Sequence, residues 1–252
     1  MPADVAAIVP AAGNGLRFGG SLAKTFVPLL GEPMLLYTLR ALERASSVRW
    51  IIVAAKESAH AELETLIRQA GLTKTVKLCI GGASRAESVS RGFAVVPPEA
   101  KWVLVHDAAR PCLTSKLVDQ TVASAREHGA VACGLPASVT VKAVDETLRV
   151  RLTLDRDHLW FVQTPQVFRR DWFAQALERA QGQLGSFPDD ASLLEWAGFP
   201  VKMVQGETLN LKVTLPEDRL LAEAILSSRV GHTSARSALG RSSWRKTAAR
   251  AA

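Results

Sequence analysis

The chain has 252 residues, of which 48% are hydrophobic, and a formal net charge of +7. This length suits one substantial α/β domain or two small ones and is enough to bury a sizeable core. We expect a single domain over residues 1–226. The sequence contains no run of about 18 apolar residues, which excludes a membrane-spanning helix.

The basic excess is concentrated at the end of the chain. Residues 227–252 contain six basic residues and no acidic ones, whereas the rest of the chain is nearly neutral. This segment is rich in Ser, Ala, Arg and Gly and poor in large apolar side chains, so we expect a disordered basic tail. It has no aromatic stacking platform beyond Trp244 and no amphipathic apolar face. We therefore expect neither a nucleic-acid nor a membrane partner.

The cysteines and the first residues both indicate a reducing compartment. Cys79, Cys112 and Cys133 have no paired or metal-ligand spacing, and an odd number of cysteines argues against a disulfide framework. The opening sequence MPADVAAIVPAAG lacks the basic start and the long apolar run of a signal peptide. We therefore expect a soluble, cytoplasmic protein.

Short apolar runs rich in β-forming residues alternate with amphipathic helical patterns over the first half of the chain. Near-continuous apolar runs of this length are typical of strands that are covered on both faces. The alternation predicts an α/β fold with a doubly wound, mostly parallel sheet and a ligand crevice at the carboxyl ends of its strands. The predicted strands are 5–10, 48–55, 75–80, 101–106 and 130–135.

Helices are predicted between these strands. Leucines in residues 35–42 share one helical face, and apolar residues in 118–125 share another. The sequence SRAE at 84–87 has the spacing of a capping box, with its serine as the N-cap. The sequence TLPE at 214–217 repeats that spacing with a proline in the first turn. Two helix starts are thereby predicted near positions 85 and 215.

Residues 137–157 depart from the α/β alternation. Val, Thr and Leu alternate with polar residues on both sides of a central VDET sequence. This pattern predicts a β-hairpin that leaves the main sheet. On its own, such a hairpin is most often a simple flap.

A glycine-rich loop follows the first predicted strand, in the sequence PAAGNGLRFGGSLAK at 10–24. A dinucleotide-binding loop would need its third glycine at position 18, which is Phe18, and a P-loop would need a Gly-Lys-Ser/Thr ending that is absent. Small residues let backbone N–H groups approach a phosphate chain, and Arg17 and Lys24 add charge. The segment fits a triphosphate cradle, and a surface turn with two solvated cations remains open.

A second polar segment, HDAARP at 106–111, follows the predicted strand before it. A carboxylate at a strand end, here Asp107, can orient a divalent cation or accept substrate hydroxyls. Arg110 can bind a phosphate with its guanidinium fork. An internal ion pair between Asp107 and Arg110 is the alternative. We interpret His106 as structural, because the chemistry considered below needs no general base.

Several motifs occur together and in order between about residues 4 and 226. They are PAAGNGLRFG with the following lysine, GGASRAESV at 81–89, HDAARP, TPQ at 164–166, DDAS at 189–192 and NLKVT at 210–214. This ordered set closely resembles the 2-C-methyl-D-erythritol 4-phosphate cytidylyltransferase family of isoprenoid precursor synthesis. The resemblance implies a Rossmann-like nucleotidyltransferase sheet, and a β-hairpin arm at about 137–157 that embraces a second subunit in a homodimer.

The resemblance also implies an activity and a site. The family transfers the cytidylyl group of CTP to methylerythritol phosphate and releases pyrophosphate, with Mg²⁺ as cofactor. The implied catalytic residues are Arg17, Lys24 and Lys212. The implied CTP-binding residues are Pro10, Ala11, Ala12, Gly13, Asn14, Gly15, Gly81, Gly82, Arg85 and Ser88. The implied acceptor-binding residues are Asp107, which also adjoins the metal, Arg110, Thr140, Arg156, Thr164 and Lys212, with Arg156 contributing to the partner's site.

The sequence departs from the family pattern at four positions. Ala23 replaces a proline before Lys24, and Ala83 replaces a residue that is often polar or acidic. Val139 replaces an aspartate, and Pro188 replaces a threonine. The acceptor pocket is therefore less well defined than the CTP pocket, and a cytidylyltransferase for ribitol 5-phosphate remains an alternative. A catalytically silent nucleotide-binding module also remains, although the retained charged site residues argue against it.

Overall fold

A computed structural model describes residues 2–13 and 26–243, with side chains in the last helix as far as residue 229. The strands are β1 (Val5–Pro10), β2 (Pro28–Leu29), β3 (Glu32–Pro33), β4 (Val48–Ala55), β5 (Thr75–Ile80), β6 (Trp102–Val105), β7 (Ala130–Pro136), β8 (Val141–Val144), β9 (Val150–Leu154), β10 (Trp160–Arg169) and β11 (Lys202–Gln205). The helices are α1 (Met34–Arg44), α2 (His60–Gln69), α3 (Arg85–Ala94), α4 (Ser115–His128), α5 (Arg170–Arg179), α6 (Asp190–Trp196) and α7 (Pro216–Ser243).

A seven-stranded sheet organises the fold, in the order β11-β7-β10-β6-β1-β4-β5. β1 runs parallel to both β4 and β6, β4 is parallel to β5, and β11 is parallel to β7. β10 is antiparallel to both of its neighbours, β6 and β7. The predicted α/β fold with a mostly parallel sheet is therefore confirmed, and all five predicted strands are present within one residue of their expected bounds.

Helices cover both faces of the sheet, and β1 shows why. Alternate residues of this strand, Val5, Ala7 and Val9, face a core formed with α1, α2 and α4. The residues between them, Ala6 and Ile8, face a second core formed with α3, α5 and α6. Because side chains alternate across a strand, an uninterrupted apolar run contributes to both cores at once.

Close packing of α3 on β1 brings the start of that helix to the carboxyl end of the strand. A Cβ built on Gly92 in α3 would lie 2.6 Å from the Cγ2 atom of Ile8. That separation is well inside carbon–carbon contact distance, so only glycine allows the two elements to lie this close. The predicted N-cap of α3 is confirmed, since the Ser84 side chain accepts a hydrogen bond from the Glu87 backbone N–H.

The predicted hairpin is confirmed as the antiparallel pair β8 and β9, which form a sheet of their own. Several of its large apolar side chains are exposed. They include Leu148 at its tip and Val150 and Leu152 on β9. This hairpin therefore presents apolar surface that the described part of the chain does not cover.

The backbone of α7 is helical up to Ser243, past residue 227 where we expected a disordered tail to begin, and the disorder of that tail stays a prediction. Ala222 and Leu226 pack against the body of the protein and fix the first turns. Once a helix has been nucleated, each further residue extends it at little cost, and no proline interrupts this sequence. Residues 244–252 lie outside the described part.

No helix among the described residues is long and apolar enough to cross a membrane.

Candidate active site

A cavity of about 370 Å³, here called the first cavity, opens at the carboxyl ends of β1, β5 and β6. After β1 the chain turns towards β4 and β5, and it then returns to place β6 on the other side of β1. Such a reversal leaves a crevice between the divergent loops. The lining residues include Pro10, Ala11, Ala12 and Gly13 after β1, Gly81, Gly82, Arg85 and Ser88 after β5, and Asp107 and Lys212.

The loops after β1 and β5 approach each other very closely. A Cβ built on Gly81 would lie 2.4 Å from the Cβ atom of Ala12 and 3.3 Å from the carbonyl oxygen of Ala54. Ser88 secures the β5 loop, because its hydroxyl accepts from the Gly82 N–H at 3.0 Å and donates to the Ser84 carbonyl at 2.9 Å. The small residues predicted to bind a nucleotide therefore form the narrow part of the first cavity.

A chain of charged side chains closes the far side of the first cavity. The Asp107 carboxylate is 2.8 Å from the Nε atom of Arg85 through one oxygen and 2.7 Å from the Nζ atom of Lys212 through the other. The Nη2 atom of Arg85 is also 2.8 Å from an oxygen of Asp190. Burial raises the pKa of the Asp107 carboxyl, but the charges of Arg85 and Lys212 outweigh it and hold that pKa below its ordinary value. Asp107 is therefore an ionised group between two cations.

The expected alternative of an ion pair between Asp107 and Arg110 is wrong. The Arg110 guanidinium instead donates to the Asn210 carbonyl at 2.7 Å. The backbone N–H of Arg110 donates to the carbonyl of Asp107 at 3.0 Å, so the chain turns between the two residues. Burial lowers the pKa of Arg110. Its Nε atom is buried and has no hydrogen-bond partner among the described residues.

A second cavity of about 460 Å³ lies on the other side of the same charged side chains. Arg85, Asp107 and Lys212 line both cavities, and we call these three residues the shared wall. Arg110 and Thr164 also line the second cavity. Four residues predicted to bind the acceptor, Asp107, Arg110, Thr164 and Lys212, are thus brought together.

Two predicted acceptor-binding residues do not line either cavity. Thr140 is exposed at the base of the hairpin, and the guanidinium of Arg156 donates to the Ser138 carbonyl at 3.1 Å. Both belong to the arm that we expected to reach a second subunit. Asn14, Gly15, Arg17 and Lys24 lie outside the described residues. Their predicted roles in holding the triphosphate therefore stay predictions.

A buried network supports the backbone of Asp107. The Thr164 hydroxyl accepts from the Asp107 N–H at 3.1 Å and is 3.1 Å from the Nδ1 atom of His106. The Nε2 atom of His106 is 3.3 Å from the Arg110 carbonyl, which can only accept, so we assign the ring hydrogen to Nε2. The Thr164 hydrogen is then donated to Nδ1. Thr164 thus offers a ligand only a lone pair, and it positions Asp107 as well as lining the second cavity.

The burial of His106 predicts a pH-dependent stability. Burial lowers the pKa of its imidazole from 6.5 to about 4, so between these values the unfolded chain binds a proton that the folded chain does not. We expect the free energy of unfolding to fall by on the order of 3 kcal/mol as pH drops from 6.5 to 4 from this group. Urea unfolding of His106→Asn should show a shallower pH slope than the parent. An unchanged slope in His106→Asn would contradict the assignment.

The sequence analysis assigned no role to several residues of the site. Met34 and Lys56 line the first cavity, Gln163 and Gln166 line the second, and Asp190 contacts Arg85. The DDAS motif contained the signal for Asp190, but its charge alone does not reveal its partner. Lys56 directly follows β4, whose carboxyl end lies beside the first cavity, so strand order indicates it once the sheet is known.

Comparison with known proteins places the chain in a family. The family described as 2-C-methyl-D-erythritol 4-phosphate cytidylyltransferase matches residues 5–228. A protein of that name from Synechococcus elongatus is 39% identical over 222 residues, which span 88% of this chain and 96% of the relative. The protein of that name from Pelotomaculum thermopropionicum is 39% identical over 229 residues, or 90% of this chain and 96% of the relative.

A solved structure leads to the same conclusion. The crystal structure of 2-C-methyl-D-erythritol 4-phosphate cytidylyltransferase from Thermus thermophilus superposes with a TM-score of 0.72 at 30% identity, covering 89% of this chain and 98% of that one. The fold is therefore shared over 89% of this chain and 98% of that one. The chain belongs to the 2-C-methyl-D-erythritol 4-phosphate cytidylyltransferase family and is a nucleotidyltransferase enzyme.

Proposed function

We propose that this protein transfers the cytidylyl group of CTP to 2-C-methyl-D-erythritol 4-phosphate, giving 4-diphosphocytidyl-2-C-methyl-D-erythritol and pyrophosphate. One observation carries the proposal beyond family membership. Two cavities meet at a single wall of Arg85, Asp107 and Lys212. A nucleotide on one side and a phosphorylated acceptor on the other would bring their reacting atoms together beside these charges.

The first cavity suits the nucleotide. Its narrow part is lined by small residues, which let backbone N–H groups approach a base or a phosphate closely. The same loop continues from Gly13 towards Arg17 and Lys24, which we assign to the triphosphate. The second cavity suits the acceptor, because Arg110 lines it and the positive charge of its guanidinium can attract a phosphate.

The reaction requires little covalent chemistry from the protein. An oxygen of the acceptor phosphate attacks the α-phosphorus of CTP, the bond to the β-phosphate oxygen breaks, and pyrophosphate leaves with that electron pair. The attacking phosphate is already ionised near neutral pH, so no general base is needed. His106 is buried and neutral and has no part in this step. Arg17, Lys24 and Lys212 position the phosphates and neutralise charge as it moves to pyrophosphate.

Magnesium fits this arrangement. Magnesium ions at phosphates are usually held by one or two carboxylates together with phosphate oxygens and water. Among the described residues, Asp107 is the acidic side chain that lines the first cavity, and no group of three His, Cys, Asp or Glu could hold a metal by itself. We assign Asp107 as the protein group beside the ion and expect the nucleotide to supply other ligands. The ion would neutralise phosphate charge.

We also propose a homodimer that forms through the hairpin arm. The exposed apolar side chains of Leu148, Val150 and Leu152 are the surface that a second subunit would cover. In such a dimer Arg156 and Thr140 of one subunit complete the acceptor pocket of the other. A dimer in solution that is lost when these three side chains are replaced by serine would support this arrangement.

Removing Arg156 should affect the acceptor and spare the nucleotide. We expect Arg156→Ala to raise KM for methylerythritol phosphate by about tenfold with little change in KM for CTP, since one charge-assisted contact is worth about 1.5–3 kcal/mol. Steady-state kinetics with each substrate varied in turn checks this. Arg149→Ala removes an exposed cation from the same hairpin and is the matched control. Equal losses in both variants, or equal weakening of both substrates, would contradict the assignment of Arg156.

A screen of purified protein tests the proposed activity itself. Pyrophosphate release is measured with CTP, UTP, ATP and GTP, each with methylerythritol phosphate or ribitol 5-phosphate and with Mg²⁺. We expect release only with CTP and methylerythritol phosphate, and the product to be 4-diphosphocytidyl-2-C-methyl-D-erythritol by mass. Faster release with ribitol 5-phosphate would replace the proposed acceptor. No release with any pair would overturn the proposed activity.

A further inference from the structure

Asp190 is a buried carboxylate with a single charged contact. It is the first residue of α6, and its side chain is only 4% exposed. Burial raises the pKa of Asp190, and the charge of Arg85 opposes that effect. Asp190 lines neither cavity, and its ion pair with Arg85 is its link to the site.

The position of Asp190 is fixed by hydrogen bonds at the start of α6. Asp189 caps this helix by accepting from the Ser192 N–H at 2.8 Å. Gln166 of β10 donates to the Asp189 carboxylate at 2.8 Å and accepts from the Ala191 N–H at 2.9 Å. The helix start is thus joined to the central sheet on both sides of Asp190. A carboxylate held in this way is a fixed anchor for a long side chain.

Arg85 spans the gap between that anchor and the shared wall. Its Nη2 atom meets Asp190, and its Nε atom meets Asp107, both at 2.8 Å. The contact with Asp107 is a hydrogen bond and the contact with Asp190 is an ion pair without hydrogen-bond geometry. Because a guanidinium is planar and its donors are fixed relative to one another, the two carboxylates together restrict its orientation. Arg85 therefore contacts only one oxygen of Asp107, and the other oxygen of Asp107 contacts Lys212.

Stability does not explain why such a pair is buried. Removing two charges from water costs several kcal/mol for each ion, and apolar residues of similar size often stabilise a fold as well or better. The four side chains also cancel in charge, with Asp107 and Asp190 opposite Arg85 and Lys212. The contribution that remains for Asp190 is geometric, because it prevents Arg85 from turning to bind both oxygens of Asp107.

We propose that Asp190 is a positioning residue for cytidylyl transfer, which holds Arg85 across the shared wall and so leaves one oxygen of Asp107 facing Lys212. This inference rests on the proposed function. Without Asp190, Arg85 turns its fork onto both oxygens of Asp107 and displaces Lys212. The acceptor side of the wall then changes shape although none of its own residues has been replaced.

Kinetics of the full chain test the inference. We expect Asp190→Asn to lower kcat/KM for methylerythritol phosphate at least tenfold while the Kd of CTP changes less than threefold. In a cycle with Asp107→Asn, the double variant should be no slower than Asp107→Asn alone, because Asp190 acts through Asp107. Asp4→Asn is the matched control. It removes a carboxylate, 14% exposed, from its ion pair with Arg126, away from the site, and should leave the kinetics unchanged. The inference would be overturned if the loss of kcat/KM in the double variant equalled the product of the losses in the two single variants. It would also be overturned if Asp190→Asn weakened the use of both substrates equally.

Two further measurements cover the cases in which kinetics give no answer. If Asp190→Asn fails to fold, Asp190→Ala also removes the charge that holds Arg85, and it should show the same selective loss. A crystal structure of either variant that folds does not depend on activity, and we expect Lys212 to have left Asp107. Contacts of Asp107 that are unchanged in that structure would overturn the inference. Absence of pyrophosphate release in the unmodified protein would instead overturn the proposed function alone.

Discussion

Replacing Lys212 with methionine is expected to lower kcat for pyrophosphate release by a factor of about 100 or more, as found for loss of one transition-state donor. The Lys212 ammonium lies 2.7 Å from Asp107 in the shared wall, beside both cavities. It is therefore a fixed positive charge beside the place where phosphate charge increases during transfer. Methionine keeps most of the length and the apolar stem of lysine, so the change tests the charge.

The control for this experiment is Lys202→Met, which removes an exposed lysine at the start of β11. Lys202→Met should unfold at the same temperature as the parent to within a few degrees, because an exposed charge contributes little to stability. Circular dichroism at the assay temperature should show that Lys212→Met is folded. Turnover in Lys202→Met should be unchanged. A kcat in Lys212→Met within a factor of three of the parent would remove Lys212 from the catalytic group.

Replacing Gly81 with alanine is expected to raise the Kd of CTP by about tenfold to 100-fold. The new methyl group would start 2.4 Å from the Cβ atom of Ala12, whereas carbon atoms in contact need about 3.5–4 Å, so the two loops must separate. Backbone donors on these loops would then miss their acceptors on the nucleotide. Loss of one such hydrogen bond to a charged group is worth about 1.5–3 kcal/mol, which corresponds to this range of affinity.

Gly185→Ala is the matched control for the Gly81 experiment. A Cβ at Gly185 would meet nothing within 4 Å, so the same substitution adds a methyl group in open space. Calorimetric titration with CTP should give the parent affinity for Gly185→Ala. Circular dichroism should show both variants folded. A parent-like Kd in Gly81→Ala would mean that the close approach of the two loops is not part of the nucleotide site.

Five of the six parallel strands of the seven-stranded sheet are predictable from the sequence, whereas the edge strand β11 and the antiparallel strand β10 are not. β1, β4, β6 and β7 are apolar runs because their residues contribute to the cores on both faces of the sheet, and such runs are visible without a structure. β10 was missed because Gln163, Thr164 and Pro165 interrupt it, and a proline inside a run argues against a central strand. Its pairing with β7 shifts register between Val162 and Gln166, and this irregularity accommodates the interruption.

The interruption of β10 also has a functional side. Gln163, Thr164 and Gln166 line the second cavity, and Thr164 holds the backbone of Asp107. β10 therefore carries polar residues at positions where a regular buried strand has apolar ones. Sequence patterns that describe regular elements fail at such a place because the site imposes a different requirement.

The sequence by itself determined the fold class, the strands of the parallel core, the N-cap of α3 and the motifs that line the two cavities. These features depend on residues that are near one another in the chain, so their periodicity and spacing are visible in a single sequence. The tertiary structure alone decided the partners of the charges. Asp107 pairs with Arg85 and Lys212 rather than with Arg110, and Asp190 becomes part of the site, because ion pairs form between side chains that folding brings together from distant parts of the chain.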